Sequence, residues 1–303
     1  MLYIDDMILV KDQECTGGSK ILEGFLSPFD AEAVTRLRAA GVDFRLRRTP
    51  AEFGHGKMDT DCLPRLAVES CGGYGLAAQR AGKVFVKPTY GAVSRYGLIP
   101  VACSGEQLGV LADTVAQARD LLGILAGHDE KDGTSLPQEK YDYAYTGSLR
   151  VTREAFPEVK LAQVAWDVLY CAEACNNLSR YDGVKFGYRT KNYQNIEELY
   201  TNTRTEALTF PTKQVILYGS DVLSKGRYDG CYDKALRIRR VLKEKLTALL
   251  KDYDVLVCPD VYLPLITGAP AVTAAGVQLI GSPLSEGKLF AAAEILEKGG
   301  TLA

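Results

Sequence analysis

Apolar positions fall into two alternating patterns along the chain, short unbroken runs and longer stretches with helical spacing. That alternation predicts an α/β fold, because buried strands read as continuous apolar runs and covering helices read as amphipathic. Met7–Val10 predicts a first short strand. Asp30–Ala40 predicts a helix with Asp30 as its N-cap and Gly41 just past its end, and Val42–Leu46 the next strand. Val84–Val86 reads as a strand stopped by Pro88. Between Thr114 and Ala126, residues Val115, Ala118, Leu122 and Leu125 share one helix face. A loop rich in Asp, Gly and Lys follows at His128–Pro137.

The second half is more helical. Helices are predicted over Glu158–Leu178, Ile196–Glu206, Pro211–Leu223, with proline in its first turn, and Tyr228–Lys251. In the last, Leu236, Val241, Leu242, Leu246, Leu249 and Leu250 are expected inward. Val184–Tyr188, Asp254–Cys258 and Gly276–Gly281 predict strands, and Ser285 is expected to cap a final helix to about Lys298. No internal repeat or low-complexity linker divides the chain, so one domain over residues 1–303 is expected.

Composition then excludes whole classes of function. With 303 residues, 47% hydrophobic and 24% charged, the chain is globular rather than disordered. Lys and Arg total 36 against 38 Asp and Glu, which leaves no reservoir of positive charge for direct nucleic-acid binding over a broad face. No stretch approaches the ~20 apolar residues of a membrane span. The first residues carry Asp5 and Asp6 where a signal peptide has basic groups, so a cytoplasmic location is expected. Eight cysteines without a CxxC pair, and only His55 and His128, predict no metal site and no cofactor. Cys171 and Cys175, one helical turn apart, read as small core residues in reducing cytosol.

One segment is more specific than any pattern: Val86-Lys-Pro-Thr-Tyr-Gly-Ala-Val-Ser-Arg-Tyr-Gly-Leu98. With Val10-Lys-Asp12, Cys15-Thr-Gly, Ser19-Lys-Ile-Leu-Glu-Gly-Phe, Ser27-Pro-Phe-Asp30, Ala126-Gly-His-Asp129, Asp132-Gly-Thr-Ser135, Asn177 to Tyr188, Glu197 to Tyr200 and Gly276 to Gly281, it resembles the amidase-signature family. Within that family the strings are most similar to the A subunits of glutamyl-tRNA(Gln)/aspartyl-tRNA(Asn) amidotransferase. The resemblance implies the family's α/β fold, a mixed central sheet flanked by helices on both faces. It also implies amide hydrolysis by a Lys–cis-Ser–Ser triad, with an oxyanion held by backbone N–H groups of a glycine-rich turn. The family's N-terminal helical segment has no counterpart. Its Gly/Ser-rich loop is replaced by Lys57–Arg65, and the run between Pro264 and Gly276 is contracted, so a truncated version of the fold is expected.

Under this resemblance Lys11 matches the triad lysine, while the bridging cis-serine belongs to the missing loop. Within Glu69 to Arg80 the Gly-Gly pair and the residue after it are set against the GGS of a family string of the form GSDTGGSIRQPA. Gly72 and Gly73 then match the oxyanion glycines, and Tyr74 falls where the attacking serine should be. A phenol cannot take the place of a hydroxymethyl group, since misplacing a reacting atom by ~1 Å already costs about a hundredfold. Ser70 and Cys71 are the alternative nucleophiles, although neither histidine has a motif reason to be near them. Arg239 matches an arginine associated with the carboxylate of glutamine, and Tyr188 a residue of that pocket; equally, Arg237, Arg239 and Arg240 could form a solvated helix face. His128 reads as a loop-ordering residue and His55 as a surface one. The expectation is a pseudoenzyme that binds a small amide or amino acid, or pairs with an amidotransferase-like B or C subunit or an intact A subunit. The alternative is a diverged amidase or glutaminase using Cys71 or Ser70.

Overall fold

The computed structural model describes residues 1–138 and 140–302. In chain order it contains β1 (Leu2–Asp5), α1 (Glu32–Ala39), β2 (Phe44–Arg47), β3 (Arg65–Glu69), α2 (Gly73–Ala81), β4 (Val84–Lys87), β5 (Gln107–Ala112), α3 (Val115–Leu125) and β6 (Val151–Thr152). It continues with α4 (Ala162–Leu178), α5 (Ile196–Ala207), α6 (Phe210–Val222), α7 (Lys234–Asp252), β7 (Val255–Val257), α8 (Tyr262–Thr267), β8 (Ala271–Ala274), β9 (Val277–Ile280) and α9 (Glu286–Glu297). The strands form one mixed sheet in the order β2-β1-β3-β5-β4-β8-β9-β7-β6. β1 runs parallel to β2 and β3, and β6 to β7, whereas every other neighbouring pair is antiparallel.

The central strands show why both sheet faces are covered. Side chains alternate across a strand. Leu66, Val68, Val84, Val86, Leu108 and Val110 enter the main hydrophobic cluster, while Ala67, Phe85 and Leu111 enter a smaller one. That smaller cluster also takes Met58 and, from α2, Tyr74 and Ala78. Helix α2 therefore stands on one face at the end of β3. Among the described residues no helix is long and apolar enough to cross a membrane.

Several expected elements differ. Met7–Val10 is not a strand: β1 lies earlier, and Ile8 makes a single bridge to Leu98. Asp30 does not cap α1, because its Oδ1 accepts from the Lys11 N–H (2.8 Å) and its Oδ2 from Arg38 Nε (2.9 Å). Val184–Tyr188 forms no strand, since Asp182 Oδ1 accepts the Val184 N–H and Gly183 and Gly187 turn the chain at φ 76° and 77°. The buried face of α7 is Ala235, Leu242, Leu246 and Leu250. Leu236 and Val241 lie one residue off that spacing and are 38% and 40% exposed. Ser285 stands at the N-cap of α9 as expected, but its hydroxyl donates to Ser282 O and accepts no helix N–H.

Candidate active site, filled by the chain itself

β3 is buried along its whole length and ends at Glu69, where the turn Ser70–Gly72 leads into α2. Gly72, the residue before the helix, has φ 76°, a conformation that favours glycine. A Cβ there would lie 2.6 Å from Val261 Cγ2, and one on Gly73 would lie 2.8 Å from Met58 Cγ. The turn is thus closed by side chains on two sides. The first N–H groups of a helix lack intrahelical partners and attract negative charge. Here Glu69 folds back onto them: one carboxylate oxygen accepts from Cys71 N–H (3.2 Å), the other from Tyr74 N–H and Gly75 N–H (both 3.0 Å). Burial raises the Glu69 carboxyl above its ordinary range despite these donors. A cavity of about 10 Å³, lined among others by Glu69, Gly75, Lys87, Val261 and Gln278, remains beside it. That is room for about one water molecule.

Tyr74 is wholly buried, and its hydroxyl donates to Asp5 Oδ2. Arg65 Nη1 lies 3.5 Å from the same hydroxyl and Arg65 Nε 3.9 Å from Asp5 Oδ1, while Nη2 donates to Asp59 Oδ1 at 2.9 Å. Arg47 grips the same Asp59 carboxylate through both terminal nitrogens, at 2.9 and 3.0 Å. Burial pushes Asp5 up to about 8, with Asp6 and Asp59 adding, against the Tyr74 hydrogen bond and Arg47. Burial and the neighbouring Asp5 likewise hold the Tyr74 phenol well above its ordinary value. This phenol is a structural hydrogen-bond donor, protonated and fully enclosed.

Cys71 is half-buried, with Sγ 3.6 Å from His55 Nδ1 and 3.9 Å from Ser70 Oγ. His55 is therefore not a surface residue as its sequence context suggests; it is half-buried and stacked on Tyr170 with ring centroids 5.4 Å apart. Burial raises the Cys71 thiol and lowers the His55 imidazole, so both rest neutral. The carbonyl of Ser70 accepts from the indole of the fully buried Trp166 at 2.8 Å.

The remaining sequence candidates make none of these contacts. Lys11 is exposed, and the group that meets Tyr74 is the carboxyl of Asp5 rather than the Lys11 amine. Arg239 turns its guanidinium onto the Ser104 hydroxyl (2.9 Å) and carbonyl (2.6 Å). Tyr188 donates to Glu206 at 2.6 Å and lies under Lys20, whose Nζ is 4.1 Å from the ring centroid. Arg239 and Tyr188 share none of these partners. His128 Nδ1 lies 3.0 Å from Leu136 O, within its own loop. Among the described residues no group of three or more His, Cys, Asp or Glu is placed to hold a metal ion.

The family model described as Amidase matches residues 81–151 and 144–274, more than half of the chain. The chain belongs to the amidase family. Among its curated relatives, the glutamyl-tRNA(Gln) amidotransferase A subunit of Campylobacter jejuni subsp. doylei is 33% identical over 331 residues, covering 84% of this chain and 71% of that one. Its counterpart of the same name from Lachnoclostridium phytofermentans is 29% identical over 407 positions, covering 98% of this chain and 82% of the relative. An alignment so much longer than 303 residues means that stretches inside the relative have no counterpart here. The crystal structure of the corresponding protein from Thermotoga maritima superposes with a TM-score of 0.75 at 22% identity, covering 99% of this chain and 83% of that one. It shares the mixed sheet flanked by helices.

In this amidase-family chain, motif reading misses the residues that fill the site: Asp5, Arg65, Glu69 and His55. Only Glu69 leaves a local signal, an acid at the end of a buried apolar run. Chemically, the cluster offers backbone N–H groups already bonded to a carboxylate, a protonated phenol and one thiol–imidazole contact.

Proposed function

We propose that this chain is a non-catalytic member of the amidase family, folded as one domain over residues 1–303. The observation that carries this reading is the Glu69 carboxylate on the N–H groups of Cys71, Tyr74 and Gly75, where a tetrahedral oxyanion would need free donors. Tyr74 at the expected nucleophile position, hydrogen-bonded to Asp5, supports it further. The scaffold's remaining roles are binding a small amide or amino acid near Arg239, or pairing with an amidotransferase-like partner. A second reading keeps amide hydrolysis and assigns it to Cys71 with His55 as base, favoured by their 3.6 Å contact. Incubation with an electrophilic glutamine analogue, followed by intact-mass measurement, separates the two. The proposal expects no adduct; stoichiometric labelling of Cys71 that is lost in His55→Ala would establish the second reading instead.

A further inference from the structure

Helix α6 carries a surface that the site does not use. Its inner face, Thr212, Val215, Gly219 and Val222, is buried. The α4 backbone approaches it so closely that a Cβ on Gly219 would lie 2.0 Å from Cys171 O. The outer face is a different matter, with Phe210 71% and Leu217 70% exposed. Beside it, a groove of about 400 Å³ between α5 and α6 is lined on its apolar side by Tyr200, Leu208, Ile216 and Leu217, with Arg204 and Lys213 also on its wall. Two large apolar side chains exposed to this degree on one helix face, two turns apart and next to this groove, mark an interaction surface.

The order of residues along that face says what covers it. Four residues before Leu217 stands Lys213, and four after it Asp221; three before is Gln214, and three after is Ser220; seven before is Phe210, and seven after is Ser224. Gln214, Ser220, Asp221 and Ser224 are exposed, and Lys213 is partly so. If a second α6 is laid antiparallel across a twofold axis at Leu217, the central layers are complementary. Leu217 meets Leu217, Lys213 meets Asp221, and the Gln214 amide meets the Ser220 hydroxyl, while Phe210 meets the chain where it leaves the helix after Val222. A twofold contact is isologous, so each pairing occurs twice. The present contacts of the two charged groups are weak holds. Lys213 donates to the Thr205 carbonyl (2.7 Å), and Asp221 lies 3.4 Å from Arg227 with both side chains more than half exposed.

We propose that the chain forms a homodimer through antiparallel pairing of α6 about Leu217. This inference is independent of whether the amidase site is active. Sedimentation velocity across the micromolar range tests it, with thermal melts confirming that each variant is folded. The wild type is expected to dimerise, and Leu217→Arg, at an exposed position, to be monomeric. Lys213→Asp and Asp221→Lys each place like charges opposite one another twice, and each is expected to weaken self-association about tenfold or more. Mixing these two variants restores both opposite-charge pairs and is expected to give a heterodimer. A wild type that stays monomeric through the range, a dimer indifferent to Leu217→Arg, or charge variants that fail to associate when mixed would each overturn the proposal. So would a monomer that instead captures a different protein on this face.

Discussion

Replacing Glu69 perturbs the account where it makes its strongest claim. In Glu69→Ala the N–H groups of Tyr74 and Gly75 lose acceptors at 3.0 Å, both on buried residues, and that of half-buried Cys71 loses one at 3.2 Å. An orphaned buried donor costs about 1–3 kcal/mol. Two full losses and a partial one, offset by relief of carboxylate burial, give a net cost of about 2–5 kcal/mol. Glu69→Gln keeps one acceptor oxygen but turns an amide NH₂ towards a donor, and about 1–2 kcal/mol is expected. Trp166 is the only tryptophan, and its indole is bonded to the carbonyl of Ser70 within the same turn, so urea unfolding followed by its fluorescence reports directly. The vacated N–H groups of Glu69→Ala should also accept a small carboxylate, so formate should raise its midpoint while leaving the wild type unchanged. A Glu69→Ala protein within about 0.5 kcal/mol of wild type and indifferent to formate would refute the reasoning.

Asp5 titrates near 8 in the fold against 3.8 for an unperturbed carboxyl, so its contribution is complete below about pH 4 and is lost as pH rises towards 8. Asp5→Asn removes that loss: its stability relative to wild type should grow between pH 4 and 8 by no more than about 1.4 kcal/mol per unit, which urea midpoints across pH will show. Exposed Cys62 should react with a thiol-specific disulfide reagent much faster than Cys71, whose thiol burial keeps protonated; timed mass spectrometry gives the order. Arg239→Met should lower the melting temperature through loss of its two bonds to Ser104, about 1–3 kcal/mol, whether or not any amino acid is present.

Elements whose pattern is local were legible in the sequence. The face of α3 formed by Val115, Ala118, Leu122 and Leu125 is buried as the spacing predicts, and its Thr114 cap accepts from Gln117 N–H. β3, α2 and β5 escaped because their local patterns are short or interrupted. β5 carries Gln107 and Gly109 among its apolar residues, and α2 starts on glycines and a tyrosine that read as a turn. The filling of the site was illegible because its contacts are long-range. Tyr74 and Asp5 are 69 positions apart, and only the sheet order, with β1 beside β3, brings them together. His55 and Cys71 meet across a contracted loop that has no family pattern to follow.

The claim that this amidase-family chain no longer hydrolyses amides is tested most directly by ammonia release from glutamine and a panel of simple carboxamides, with protein at substrate-like concentration and a coupled dehydrogenase readout. No release above buffer is expected for the wild type, for Cys71→Ala and for His55→Ala alike. Ammonia released catalytically by the wild type and lost in Cys71→Ala would contradict that claim and place the chemistry at the thiol.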